Sequence, residues 1–326
     1  MNKERSGETL LAFTAREDNE LEKTAAQNVL RTETDSGVRV RQMNDADLER
    51  ILELRTVVRW SADPRAFDLL RGVRDARWAV AETPDSDLAG MVGAVQLGDI
   101  GVLCHLAVHD GYRGLGLGAM LSSWAVTYLR SRGAKWVRLY STRRAEGLYR
   151  SLGFEEVAPR TVYRLERGPR RLRVRDRVDG HRVETLAFGD LPELYGVDHW
   201  SFGADRSALL FATLRLHPGG GLIARDATGR IKGYLIQTTL GRATRIGPFL
   251  ASTPDVARLL LTHALPAAGG APVQVTVPGP ARCQAHALLQ GLGFEGTQDR
   301  LRMELGEMTA NPTGLAHYGT TPYLAT

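Results

Sequence analysis

Cysteine is nearly missing from this chain: Cys104 and Cys283 are the two among 326 residues. Two thiols without metal-ligand spacing exclude a disulfide framework and a cysteine-based zinc site, so both are expected to be reduced and no metal is expected. Long apolar runs are missing as well. No window approaches the roughly 18 apolar residues that a membrane span requires. The opening MNKERSGETLLAF holds only four apolar residues together, short of a secretory h-region. A cytoplasmic location without a membrane partner is the expectation. Lysine is the third scarcity. Only Lys3, Lys23, Lys135 and Lys232 occur, the other 38 basic residues being arginine, for a formal charge of +5 and a pI near 9.4. The arginines are interleaved with acids except over 164–177, and no nucleic-acid-binding motif accompanies them. Such a balance suits an anionic small ligand, for instance a phosphorylated cofactor, and no nucleic-acid partner is expected.

A hydrophobic fraction of 43% and a charged fraction of 24% are those of a globular protein, and 326 residues suggest about two domains. Residues 1–36 are polar and read as an extension. Regular structure begins with an alternating strand at 38–41, followed by a helix capped by Asn44. Strands follow at 77–82, 88–97 and 102–108. Beyond a glycine-rich turn, Leu117, Met120, Leu121, Trp124, Ala125 and Tyr128 recur at helical spacing. Next come a strand over 136–140 and a short helix over 145–152. After a basic stretch at 166–178 the pattern returns: strand 182–186, helix 205–215, a hairpin of 222–226 with 231–239, helix 256–265, strand 273–277 and helix 285–292. The letters repeat too. Ser151-Leu-Gly-Phe154-Glu comes back as Gly291-Leu-Gly-Phe294-Glu, with Ala145 matched by Ala285, which indicates two copies of one fold.

The chemistry centres on Arg113-Gly114-Leu115-Gly116-Leu117-Gly118, between a buried strand and an amphipathic helix. Glycines let a ligand approach the backbone, and the first N–H groups of the helix, with its dipole, make an anion site suited to pyrophosphate. Arg113 adds a charge-assisted contact to the same phosphates. A tight strand-to-helix turn has the same composition, so the turn alone does not decide. A dinucleotide fingerprint is excluded: the pattern is not G-x-G-x-x-G, and no acid ends the following strand.

The run Leu106-Ala107-Val108-His-Asp-Gly-Tyr-Arg113-Gly-Leu-Gly-Leu-Gly-Ala119, with Ala145-Glu-Gly-Leu-Tyr149-Arg-Ser-Leu-Gly-Phe154 downstream, resembles the GNAT acyltransferase superfamily over about residues 38–165. The resemblance implies an α/β (α+β) fold of two GNAT-like domains, each a mixed, mostly antiparallel sheet flanked by helices. The expected division is the polar extension 1–36, a CoA-binding catalytic domain 37–168, a linker 169–180, a degenerate copy 181–308 and a tail 309–326. It further implies acetyl-CoA, or another acyl-CoA, with its phosphates on Arg113–Ala119 and its pantetheine arm beside Leu106, Ala107 and Val108. Thr142 borders the same site, at a position where the family frequently has asparagine. Transfer to the amine is then direct. Tyr149 stands where the family commonly places the acid that protonates the departing thiolate, and a core aromatic is the alternative.

The base is less defined. Val102 occupies the position where many members carry glutamate. His105, His109 and Asp99 lie nearby; His105 has a suitable intrinsic pKa on the right strand, although a structural histidine or a water chain fits as well. Cys104 reads as a small buried residue. In the second copy Leu289 replaces Tyr149, and Leu250-Ala-Ser-Thr-Pro-Asp replaces the glycine loop, so one active site per chain is expected. Arg59 and Trp60, in the loop after the first helix, are the candidate substrate-binding residues, with Asp63 beside them; solvated surface charge is the alternative for Arg59 and Asp63. Trp200, Phe202, Asp205 and Arg206 read as a helix start with core aromatics. The resulting expectation is an N-acetyltransferase, monomeric or homodimeric, acting on a small-molecule primary amine. A protein N-terminus or lysine as acceptor, or a CoA-binding regulator without catalysis, are the other readings.

Overall fold

The computed structural model describes residues 33–34, 37–60, 63–73, 75–169, 177–240, 243–279, 284–306 and 314–321. All but two residues of the expected extension, Cys283, and much of the expected linker and tail lie outside the described residues.

The first strand and helix among the described residues are β1 (Arg39–Gln42) and α1 (Leu48–Val57). Asn44 starts the helical stretch through a capping box: its side chain accepts from Ala46 N–H at 2.9 Å, while Asp47 accepts from Asn44 N–H at 2.9 Å. The end of α1 is a Schellman turn in which Trp60 N–H donates to the Arg55 carbonyl at 2.7 Å and Arg59 N–H to that of Thr56 at 3.0 Å. Arg59 holds the left-handed position with φ 60, where a side chain is strained and glycine is not. Arg59→Gly is therefore expected to stabilise the fold by about 1 kcal/mol, raising Tm by about 1–2 °C in calorimetry. An unchanged or lower Tm would show that the Arg59 side chain makes compensating contacts.

Helix α2 (Pro64–Arg71), absent from the sequence reading, follows with Asp63 as its cap, accepting from Arg65 N–H at 3.0 Å. Strands β2 (Ala76–Glu82), β3 (Leu88–Leu97) and β4 (Ile100–Val108) form a meander. Then come α3 (Leu117–Ser131), β5 (Trp136–Thr142), the short α4 (Glu146–Ser151) and β6 (Glu155–Leu165). The second half runs β7 (Arg177–Val178), β8 (His181–Thr185), α5 (Leu191–Phe202), α6 (Ser207–Leu216), β9 (Gly221–Arg225), β10 (Ile231–Leu240), β11 (Ala243–Ala251), α7 (Pro254–Ala264), β12 (Val273–Pro278), α8 (Gln284–Gln290), β13 (Glu295–Leu305) and β14 (Ala316–Gly319).

These strands form one sheet in the order β1-β2-β3-β4-β5-β13-β6-β12-β11-β10-β9-β8-β7, with β14 against β11. Pairing is antiparallel except for β4 with β5 and β11 with β12, the two equivalent contacts of the two halves. At the centre the halves exchange β6 and β13. β13 lies against β5 of the first half, and β6 lies against β12 of the second. The exchange reaches the cores. Leu301 and Met303 of β13 are buried with Trp124, Leu139 and Phe154 of the first half, while Tyr163 of β6 is buried with Val256, Leu260 and Val275 of the second. A buried ion pair, Arg138 Nε to Glu304 at 2.7 Å, ties β5 to β13.

In the second half, Arg206 is held by both Asp198 oxygens, at 2.8 and 2.7 Å, with Tyr234 joining them. Trp200 departs from its expected place in the core: it is 67% exposed, because its position on α5 faces away from the sheet. Among the described residues no helix is long and apolar enough to cross a membrane.

Candidate active site

Parallel pairing of β4 with β5 lasts for three register positions, Ile100 with Trp136 to Val102 with Arg138. Beyond them the strands part. The register of β4 against β3 shifts at the same level, between the pairs Met91–Ala107 and Gly93–Cys104. His105 sits at this bulge with φ 52. A bulge turns two successive side chains to one face, and Cys104 and His105 both reach the cluster under α1 and α2. The splay opens a cavity of about 520 Å³. Its walls bring together Trp60, Leu106, Ala107, Val108, Arg113, Gly114, Gly116, Leu117, Gly118, Ala119 and Thr142 from the sequence candidates. Val58, Tyr112, Arg144, Ala145 and Leu148 line it as well. Tyr112, Ala145 and Leu148 stand within the two motif runs but are not among the named site residues; Val58 and the exposed Arg144 lie outside those runs and carry no local signature. Arg59, His105, Leu115 and Tyr149 do not line the cavity.

The cavity floor is the turn into α3. Gly114 and Gly116 have φ 83 and 78, and a Cβ added to either would meet no protein atom within 4 Å. Open space above both glycines is what a close-lying phosphate needs. Gly116 is the N-cap of α3 and supplies no side-chain cap, nor does an acid stand in the first turn, so the helix N-terminus presents its N–H groups and partial positive charge to the cavity. Arg113 is paired with Asp110 at 2.6 Å, both at the surface, and Arg144 also lines the cavity. A pyrophosphate-bearing ligand therefore fits the residues present. The equivalent turn of the second half does not offer this. Thr253 caps α7 by accepting from Val256 N–H at 3.2 Å, Pro254 removes one donor, and Asp255 adds negative charge.

Tyr149 is 5% exposed and meets Phe154 edge-on, the rings 5.8 Å apart. Burial, with the nearby Cys104, pushes its phenol well above the usual tyrosine range, which keeps it protonated and a donor. The Cys104 thiol is likewise pushed up by burial and stays neutral. His105 accepts at Nδ1 from Arg55 at 3.0 Å; since a guanidinium only donates, the neutral ring carries its hydrogen on Nε2. His105 also meets Trp60 and Trp78, at 6.0 and 5.3 Å. Of the other acid–base candidates, Asp99 pairs with Lys135 at 2.8 Å and His109 accepts from Gly111 N–H at 3.1 Å. Val102 is core. Among the described residues no group of three His, Cys, Asp or Glu side chains is placed to hold a metal.

Two family models match the chain, both described as an acetyltransferase (GNAT) domain, one over residues 74–156 and one over 195–318. The chain is 24% identical over 223 residues to an uncharacterised N-acetyltransferase, YitH, of Bacillus subtilis, covering 68% of this chain and 76% of that protein. Its fold is similar to the crystal structure of a putative acetyltransferase from Pyrococcus horikoshii, with TM-score 0.72, 20% identity, and coverage of 90% and 98% of the two chains. It is also similar to a tandem GNAT protein from the clavulanic acid biosynthesis pathway, with TM-score 0.62, 14% identity, and coverage of 84% and 100%. One GNAT model in each half, on a sheet whose β4–β5 splay opens above an uncapped, glycine-led helix, identifies the chain as a tandem member of the GNAT acetyltransferase superfamily.

Proposed function

We propose that this enzyme is a cytoplasmic acyl-CoA-dependent N-acyltransferase that moves an acetyl group from acetyl-CoA to a primary amine on a small molecule. The observation that carries the reading is the cradle at Gly114–Ala119, where two left-handed glycines and the open end of α3 face the cavity. When bound, acetyl-CoA supplies a thioester carbon for the amine to attack. Backbone N–H groups of residues 114–119 hold the phosphates, and Arg113 and Arg144 neutralise them. The unpaired edge of β4 at residues 106–108 aligns the pantetheine amide in the manner of an added strand, and Thr142 closes the opposite edge. Trp60 and Val58 wall the acyl end and keep water out.

Tyr149, next in sequence to the cavity-lining Leu148, is assigned the role of a neutral hydrogen-bond donor to the departing sulfur; its raised pKa keeps the proton on the phenol and opposes full transfer. His105 is buried, lies off the cavity wall and has its accepting Nδ1 taken by Arg55, so the amine proton leaves through a water chain while His105 positions Arg55 and Trp60. The second half serves the fold and the acceptor side, leaving one cofactor site per chain.

The test is calorimetric titration with acetyl-CoA, expected to give one site per chain, coupled to a thiol-release assay over a library of amines. Tyr149→Phe is expected to lower turnover about 10–100-fold while leaving the acetyl-CoA Kd within about twofold. Unchanged turnover would remove Tyr149 from the chemistry, and absence of acetyl-CoA binding would overturn the reading as a whole.

A further inference from the structure

The second half repeats the splay of the first, but there the gap is filled. β11 and β12 pair in parallel for three positions, Thr244 with Val273 to Ile246 with Val275, the same length as the β4–β5 contact. Beyond them β14 enters the gap. It pairs antiparallel with β11, Phe249 with Gly319, Leu250 with His317 and Ala251 with Ala316. On its other edge, Thr320 N–H donates to the Thr276 carbonyl of β12 at 2.7 Å. An extended main chain thus stands where, in the first half, the acyl-transfer reading puts the pantetheine arm. β14 also lies off the continuous path of the sheet, whose strand order is complete without it.

The segment is held by its side chains as well as by its backbone. Successive residues of a strand point to opposite faces. On one face Tyr318, 1% exposed, is buried with Phe249, Val275 and Leu288, and its hydroxyl donates to Gln284 of α8 at 3.1 Å. Toward α5, Leu315 N–H donates to Ser201 Oγ at 2.9 Å and His317 Nε2 to the Ser201 carbonyl at 2.8 Å. Gly319 is fixed by close approach, since a Cβ there would lie 3.1 Å from Val275 and 3.2 Å from Phe249. Past the strand, Thr321 accepts from the buried Arg206 at 3.0 Å.

Main-chain bonds to a strand edge give affinity, and pockets for alternate side chains give sequence preference; together they are how a sheet recognises a peptide by strand addition. We propose that the β11–β12 cleft is a peptide-binding site whose resident ligand is this chain's own segment 314–321. The peptide it takes is extended and carries tyrosine followed by glycine at the 318 and 319 positions. The filled cleft is a second reason, besides the altered turn at 253–255, for one cofactor site per chain.

The test uses the full chain. In one variant Tyr318→Ala empties the side-chain pocket. In a second, Thr320→Pro removes the N–H that bonds β12 and keeps the tyrosine. A fluorescein-labelled synthetic peptide of residues 314–321 is titrated into each variant and into the parent, with anisotropy as the readout. One peptide per chain is expected to bind the variants at least about tenfold more tightly than the parent, whose own segment competes at roughly millimolar effective concentration. The peptide is expected to raise the Tm of each variant, and a peptide carrying Tyr318→Ala to bind at least about tenfold more weakly. No binding to either variant, or binding indifferent to the change in the peptide, would overturn the proposal. Two variants that stay unfolded with peptide present would overturn it too, since β14 would then be an integral strand. So would a second acetyl-CoA bound by either variant, which would mean a cofactor cleft held shut. Peptide binding is read without acetyl-CoA, so failure of the acyl-transfer reading leaves it standing.

Discussion

Gly116→Val is expected to weaken acetyl-CoA binding by at least about 100-fold, or about 2.7 kcal/mol, while lowering Tm by only a few degrees. The two effects separate because they have different causes. With φ 78, any side chain at Gly116 incurs the left-handed backbone penalty, about 1–2 kcal/mol, and a β-branched residue incurs the upper end. No protein atom lies within 4 Å of the added Cβ, so packing adds nothing to that loss. The same empty volume is where the phosphates must approach the N–H groups of α3, so valine fills the ligand's space and not the protein's. Gly133 provides the control. It too has positive φ, 92, and open space where a Cβ would stand, but it lies at the far end of α3. Gly133→Val should therefore lose similar stability and keep full affinity. A Gly116→Val Kd within about threefold of the parent's would show that the phosphates lie elsewhere.

How much of this was legible in the sequence divides along a physical line. The cradle was legible because backbone chemistry needs particular letters: a glycine-rich turn, a preceding apolar strand and an amphipathic helix are all local. The lack of such a cradle in the second half was equally local, written in Ser252-Thr253-Pro254-Asp255. Arg59 was singled out for its position in the loop, yet the residue that reaches His105 is Arg55, one turn earlier. A guanidinium buried by its helix face has the same letter as one in solvent, and burial is a property of the fold. Most instructive are β6 and β13, which the pattern reading passed over. Both are charged, β6 contains Pro159, and β13 pairs with β6 through two register shifts, so neither displays clean alternation. Their apolar residues serve cores that belong to the other half, and no short-range pattern records a partner more than a hundred residues away.

That exchange carries the second large effect. Met303 is fully buried beside Trp124, Leu139 and Phe154, so Met303→Ala is expected to destabilise the protein by about 3 kcal/mol through lost burial and the cavity left behind. For a chain of this size that is a fall in Tm of about 4–5 °C. The mutated residue belongs to the second half by sequence and to the first by contact, and Tyr163 has the reciprocal position. Neither core is complete without a strand from the other half, and the pairing of β5, β13, β6 and β12 runs unbroken between them. Unfolding one half removes the edge on which the other rests. Calorimetry is therefore expected to show one transition, shifted as a unit by Met303→Ala. Acetyl-CoA at 100 times its Kd should raise the whole transition by about 2.7 kcal/mol of added stability, although the site proposed for it is the glycine turn of the first half. Two separate transitions, with only one responding to acetyl-CoA or to Met303→Ala, would mean that the exchanged strands do not couple the halves. A single transition that moves with either perturbation would make the β13–β6 pair the element through which the second half stabilises the site in the first.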